Sequence, residues 1–199
     1  MNVSGYQMTK NSYIGYSKSL LAHYENFFGI KGKKLVLNSG PTNKVDKEFR
    51  VLLFHPNKIH KFYIYCTLGM SINRTDDNLI ELFVFSPKKD KKLIELLTYC
   101  ASFHRNDAPL NLYHTVNIGQ PWIDKSICDH GYISLPYMVG KNLEIFSFED
   151  KVIHCYWFIP ITKGEREFKI ENGSEELELL FERSQFNYLD PKRIDLVNN

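Results

Sequence analysis

The chain has 199 residues, 43% of them hydrophobic, with 12 Tyr and 14 Phe. That composition excludes a disordered chain and supplies enough core to need no disulfide or metal staple. The net charge of +2 hides a polarity: residues 1–100 carry 15 Lys/Arg against 8 Asp/Glu, and residues 101–199 carry 10 against 15. Such asymmetry suits a charged partner, while the near-balance overall argues against nucleic acid.

Residues 1–16 carry no strong periodicity and are expected to be loosely ordered. Residues 17–199 then read as one α+β domain. "SKSLLAHYENFFG" (17–29) predicts a helix: Leu20, Leu21, Tyr24, Phe27 and Phe28 share a stripe, Ser17 suits the N-cap, and Gly29 suits the C′ position. "KKLVLN" (33–38), "FRVLLFH" (49–55), "KFYIYCTLGMS" (61–71) and "LIELFVF" (79–85) predict strands, the last two joined antiparallel across the polar 72–78. Ser86-Pro87 is expected to open a helix over 87–104, with Leu93, Leu96, Leu97, Cys100 and Phe103 on its apolar face. Lys88, Lys89, Lys91 and Lys92 would then crowd its first turns, the unfavourable end for cations.

Residues 105–130 read as loop, broken by Pro109, Gly119 and Pro121. Strands are expected at 132–138, 142–148 and 151–161. A helix follows over 162–184, with Thr162 and Glu165 in capping-box spacing and a second such pair, Asn172 and Glu175, restarting it near Gly173. The expected architecture is therefore a mixed, largely antiparallel sheet flanked by helices near 17–28, 87–104 and 162–184.

No apolar run approaches the roughly 20 residues of a membrane span, and no basic region followed by an apolar core opens the chain. The expected location is the cytoplasm. There the sequons at Asn2, Asn73 and Asn172 would be idle, and Cys66, Cys100, Cys128 and Cys155 would remain free thiols.

His114, in "YHTVNIGQPW" (113–122), has Asp124, Asp129 and His130 as possible orienters, but no nucleophile turn such as GxSxG accompanies it. It is expected to be structural, with hydrogen bonds that hold its loop, and no catalytic residue is assigned. Cys100 with His104, Cys128-Asp129-His130, and His154-Cys155 lack the paired spacing of a four-ligand zinc site, so no metal is expected. "GIKGKK" (29–34) is not a phosphate-binding loop, since it precedes a strand and lacks GxxxxGK[ST]; no cofactor is expected.

Several segments, in order, resemble the Suppressor of fused-like family. They are "YCTLGMS" (65–71) with its T-x-G-[LM]-S turn, "IELFVF" (80–85) with Glu81 at the family's acidic place, and the H-T-V-x-x-G loop in "YHTVNIGQPW". "ISLPYM", the strand running into a Glu-rich helix over 152–182, and the closing D-P-x-R of "LDPKRIDLV" follow. The best match covers 47–196. The resemblance implies a Suppressor of fused N-terminal-lobe-like fold, a protein that binds proteins without catalysis, and a scaffold role for His114, Thr115 and Gly119. Single-lobe members resemble bacterial immunity proteins, which neutralise a cognate polymorphic toxin, often a nuclease, by stoichiometric binding.

The leading expectation is thus an immunity protein or antitoxin. The alternatives are a peptide-binding regulatory module that uses a sheet edge, and an enzyme with an unrecognised site. The acidic helix favours the first: residues 163–183 hold seven Glu against four Lys/Arg. Glu175, Glu178 and Glu182 lie at i, i+3 and i+7, a spacing that predicts a shared, solvent-facing surface for the partner.

Overall fold

The computed structural model describes residues 10–36, 40–74 and 76–198. Helix α1 (Lys10–Phe28) leads into β1 (Lys33–Leu35), β2 (Arg50–Phe54), β3 (Tyr63–Leu68) and β4 (Ile80–Ser86). Helix α2 (Lys92–Asn106), β5 (Thr115–Asn117), β6 (His130–Ser134), the short α3 (Lys141–Glu144), β7 (Ile145–Phe148) and β8 (Lys151–Ile161) follow. Helices α4 (Lys163–Asn172) and α5 (Ser174–Ser184) precede a C-terminal strap.

The strands form one sheet in the order β1-β2-β3-β4-β8-β6-β5, with β7 also paired to β8. Among the described residues only the β4–β8 contact is parallel. The expected mixed, largely antiparallel sheet flanked by helices is the observed fold. Both faces are covered, which is why the strands read as near-continuous apolar runs. On one face Leu52, Cys66, Phe83, Cys155 and Trp157 pack under α1 and α5. On the other Val51, Tyr65, Leu82, Val84 and Phe158 pack under α2 and the 107–128 segment.

Helix α1 buries Tyr16, Leu20, Tyr24 and Phe28, one residue every four, and closes at Gly29 with φ +65°. It begins at Lys10, earlier than the expected Ser17, because Tyr16 extends the same stripe; residues 1–9 lie outside the described residues. Helix α2 also departs from its expected start. Ser86 ends β4 and its hydroxyl makes a local turn to Lys88, and the helix forms only after Asp90, whose carboxylate accepts from the Lys92 backbone. Lys88, Lys89 and Lys91 therefore precede the helix. Lys88 and Lys92 pair with Asp124 on the loop opposite, so the cationic cluster is partly neutralised within the chain.

Where β3 and β4 separate beyond Cys66–Phe83, side chains replace the ladder. Glu81 is fully buried, and its carboxylate accepts from the Tyr16 hydroxyl (2.7 Å), the Thr67 hydroxyl (2.5 Å) and the backbone N–H groups of Gly69 and Met70 (2.9 and 3.0 Å). Ser71 completes the staple: its hydroxyl donates to the Ile80 carbonyl and accepts from the Ile80 N–H, both at 2.7 Å. Gly69 adopts φ +96°, and a Cβ there would meet Ile72 at 2.3 Å. The TLGMS turn and its acidic partner are thus one buried polar unit that ties α1 to the sheet.

Candidate partner-binding groove

Strand β8 has 11 residues and shares one long edge between two neighbours. β7 pairs with its start, up to Ile145–His154, and β6 with its end, from Ser134–Trp157. Between them the chain leaves the sheet through the turn at Pro136–Gly140. Beside this departure, α5 and the strap pack over the face of β8 that carries Trp157 and Ile159. The result is an open groove of about 660 Å³, within the size range of binding pockets.

Its floor is Trp157, Ile159 and Phe181. One wall is the strap. Gln185 takes a left-handed conformation (φ +45°) that ends α5 and folds Phe186 and Tyr188 back over the sheet. Phe186 lies 4.5 Å from the Phe181 ring, and Tyr188 stands edge-on to Trp157 at 5.0 Å. The opposite lip is the 136–140 turn, where Tyr137 and Met138 are 58% and 60% exposed.

The strap is anchored beyond its aromatic residues. Arg193 makes two hydrogen bonds to Glu165, 2.5 and 2.6 Å, and a third to the Pro160 carbonyl. Its guanidinium also sits 5.1 Å from the Phe186 ring centroid. Glu165 completes the capping box that opens α4: Thr162 accepts from the Glu165 N–H and the Glu165 carboxylate accepts from the Thr162 N–H. Gly164 lets the strap approach, since a Cβ there would meet the Asp195 carboxylate at 2.4 Å. The closing D-P-x-R segment thus fixes the groove wall.

One rim is carboxylate. Glu175, Glu178 and Glu182 all line the groove. Glu175 and Glu182 are exposed as expected, but Glu178 is half-buried and not simply left to solvent. It follows the buried Leu177 on α5 and accepts hydroxyls from Tyr132 (3.1 Å) and Ser134 (3.0 Å) of β6 and from Tyr137 (2.8 Å) of the 136–140 turn. Burial, reinforced by the Glu178 charge, raises the Tyr132 and Tyr137 hydroxyls well above the usual tyrosine value. They therefore stay protonated donors. No Lys, Arg or His lines the groove, and none of these three carboxylates forms an ion pair among the described residues.

The other candidates lie elsewhere. Thr115 pairs with Tyr132 on β5, a strand inside the expected loop. Gly119 has φ +73° and its N–H bonds the Asn117 side chain at 2.8 Å. His114 is exposed, and its backbone carries its structural role: its carbonyl accepts from Ile133 at 2.9 Å and its N–H bonds Asn111. The His114 hydrogen bonds in this loop run through its backbone, and Tyr113 beside it takes a left-handed conformation (φ +68°).

The paired Cys and His residues do not converge. Burial pushes the Cys100 thiol up to about 12 and the His104 imidazole down to about 4, and the Nδ1 of His104 accepts from the Leu110 N–H at 2.9 Å. Cys128 is buried with its thiol pushed up to about 11, while His130 bonds Asp129 at 2.7 Å. Cys155 packs beneath Tyr24, and His154 faces the other way, stacked on Tyr156. Among the described residues no three His, Cys, Asp or Glu side chains are grouped to hold a metal ion. Nor is any helix among them long and apolar enough to cross a membrane.

The carboxylate rim is legible in the sequence, whereas Trp157, Ile159, Phe186 and Tyr188 join it only in the fold. A signal existed: Cys155, Trp157 and Ile159 alternate along one face of an 11-residue strand, more apolar length than a single neighbour covers.

The chain thus forms one two-faced mixed sheet with a stapled TLGMS turn and an aromatic groove walled by an Arg-anchored strap. The family model for Suppressor of fused protein matches residues 46–194. A putative Suppressor of fused homologue from Neisseria gonorrhoeae FA 1090 is 31% identical, with a TM-score of 0.81 over 94% of this chain and 99% of that one. The chain belongs to the Suppressor of fused family. The protein of the Sufu–Fu complex shares the fold at 8% identity, with a TM-score of 0.68 over 91% and 92% of the two chains. Drosophila Suppressor of Fused gives 9% and 0.62 over 90% of this chain but only 50% of its own length. No functionally curated protein matches this chain.

Proposed function

We propose that this chain is a stoichiometric protein-binding partner of the immunity or antitoxin type, which neutralises a cognate toxin in the cytoplasm by occupying it rather than by turnover. The observation that carries the binding reading is the open groove of about 660 Å³, floored by Trp157, Ile159 and Phe181 and rimmed by Glu175, Glu178 and Glu182. Aromatic floors of this kind supply most of the energy at protein interfaces, and charged rims supply the steering. The strap holds the groove open before a partner arrives, which lowers the ordering cost of association. A fold relative has been crystallised as a Sufu–Fu complex, in keeping with a scaffold suited to protein partners.

The groove favours this reading over sheet-edge pairing. At one edge β1 is three residues long and carries Lys33 and Lys34, a blunted edge of the kind that discourages strand addition. The test is to co-express the chain with the product of an adjacent toxin-like reading frame and measure the mass of the eluted species. A 1:1 complex with loss of toxin activity is expected. Separate elution, with the toxin fully active in excess of this chain, would refute the immunity reading.

A further inference from the structure

We propose that the groove selects a partner segment that places a Lys or Arg side chain beside an apolar anchor, with the anchor on Trp157 and Phe181 and the cation on Glu178. This inference rests on the groove being the docking surface and adds what that surface recognises.

The argument is one of charge and shape together. The floor is apolar and aromatic, so it accepts an aliphatic or aromatic side chain and the alkyl stem of a long basic one. Among the described residues, the charged side chains that line the groove are Glu175, Glu178 and Glu182, all negative. Glu178 is the distinctive member. Its three hydroxyl donors, Tyr132, Ser134 and Tyr137, are neutral, so they fix the carboxylate in place without cancelling its charge. An oriented, half-buried carboxylate at the junction of an apolar floor and solvent is a specific acceptor for a guanidinium or ammonium group, and the surrounding rings add attraction for it. Glu175 and Glu182, exposed one turn to either side, would raise the encounter rate for a basic segment. A neutral or acidic segment would leave Glu178 further desolvated and unanswered, and the groove would reject it.

The test uses the full chain as bait for a random 12-residue peptide library displayed on phage. Counter-selection is against Leu179→Trp, which fills the groove from α5, and against Met138→Trp, which fills it from an exposed position, both shown to be folded. Recovered peptides are then measured by fluorescence anisotropy. The expected peptides carry Lys or Arg within three residues of an aromatic or aliphatic side chain. Their affinity should fall at least tenfold for Glu178→Gln, fall several-fold for the surface double variant Glu175→Gln/Glu182→Gln, and weaken with added salt. Groove-dependent peptides without basic residues, or equal binding by folded Glu178→Gln, would overturn the selection for a cation while leaving the groove as a docking site. Failure to recover any peptide that prefers the unblocked chain would overturn both.

Discussion

Arg193 and Glu165 form a buried two-pronged ion pair that spans 28 positions of the chain and sets the wall of the groove. Glu165 is fully buried and Arg193 nearly so. The same carboxylate caps α4, so the strap, the helix start and the end of β8 are fixed by one interaction.

Arg193→Ala should therefore cost about 3–5 kcal/mol, because it strands a carboxylate in the interior. Urea denaturation measures the loss. Binding should suffer beyond the loss of folded protein, since Phe186 and Tyr188 lose their anchor. A variant with wild-type stability would show that the pair contributes nothing to the fold.

Glu81 offers a pH test. Burial raises its carboxyl above the usual 4.5, against the pull of the hydroxyl and backbone donors around it. A carboxyl raised in the folded state contributes stability that is fully present below the unfolded value and lost as pH rises through the folded one. The chain should thus gain a stability increment as pH falls from neutral toward 4.5. Glu81→Gln should flatten that slope in thermal melts taken across the range. Glu81→Ala should cost about 3 kcal/mol, since it orphans the Gly69 and Met70 N–H groups.

His114→Ala should change stability by no more than about 0.5 kcal/mol, as the ring is exposed and the loop is held by backbone bonds. Chemical denaturation decides this. A loss above about 2 kcal/mol would return the ring to a structural role.

Reversing Glu175 and Glu182 to Lys should leave the melting temperature nearly unchanged, since both are exposed. Association with a basic partner should slow, and the rate should depend less on salt. Stopped-flow association kinetics provide the measure. Adding Glu178→Lys should lower stability as well, because that change removes the acceptor for three hydroxyls.

The sequence disclosed local chemistry better than assembly. The capping box of Thr162 and Glu165 was legible because both of its partners lie within one turn. The second such pair was not realised: Gly173 with φ +94° stands at the N-cap of α5, and the Asn172 side chain bonds back to Phe168. Ser86-Pro87 misled for a related reason, since a Ser-Pro pair serves a turn as readily as a helix start. β5 escaped notice because three residues are too few to establish alternation. The carboxylates of α5 stood out by composition. The groove they border did not, because its floor and walls come from β8, α5 and the strap, which meet only through the tertiary fold.

The central claim is that the groove is the surface by which this chain binds its partner. Calorimetric titration of the cognate toxin with wild-type chain and with Leu179→Trp, both shown to be folded, tests it most directly. The account predicts saturation at one chain per toxin for the wild type and at least a tenfold weaker affinity for the groove-filled variant. Equal affinity for the two proteins would contradict it.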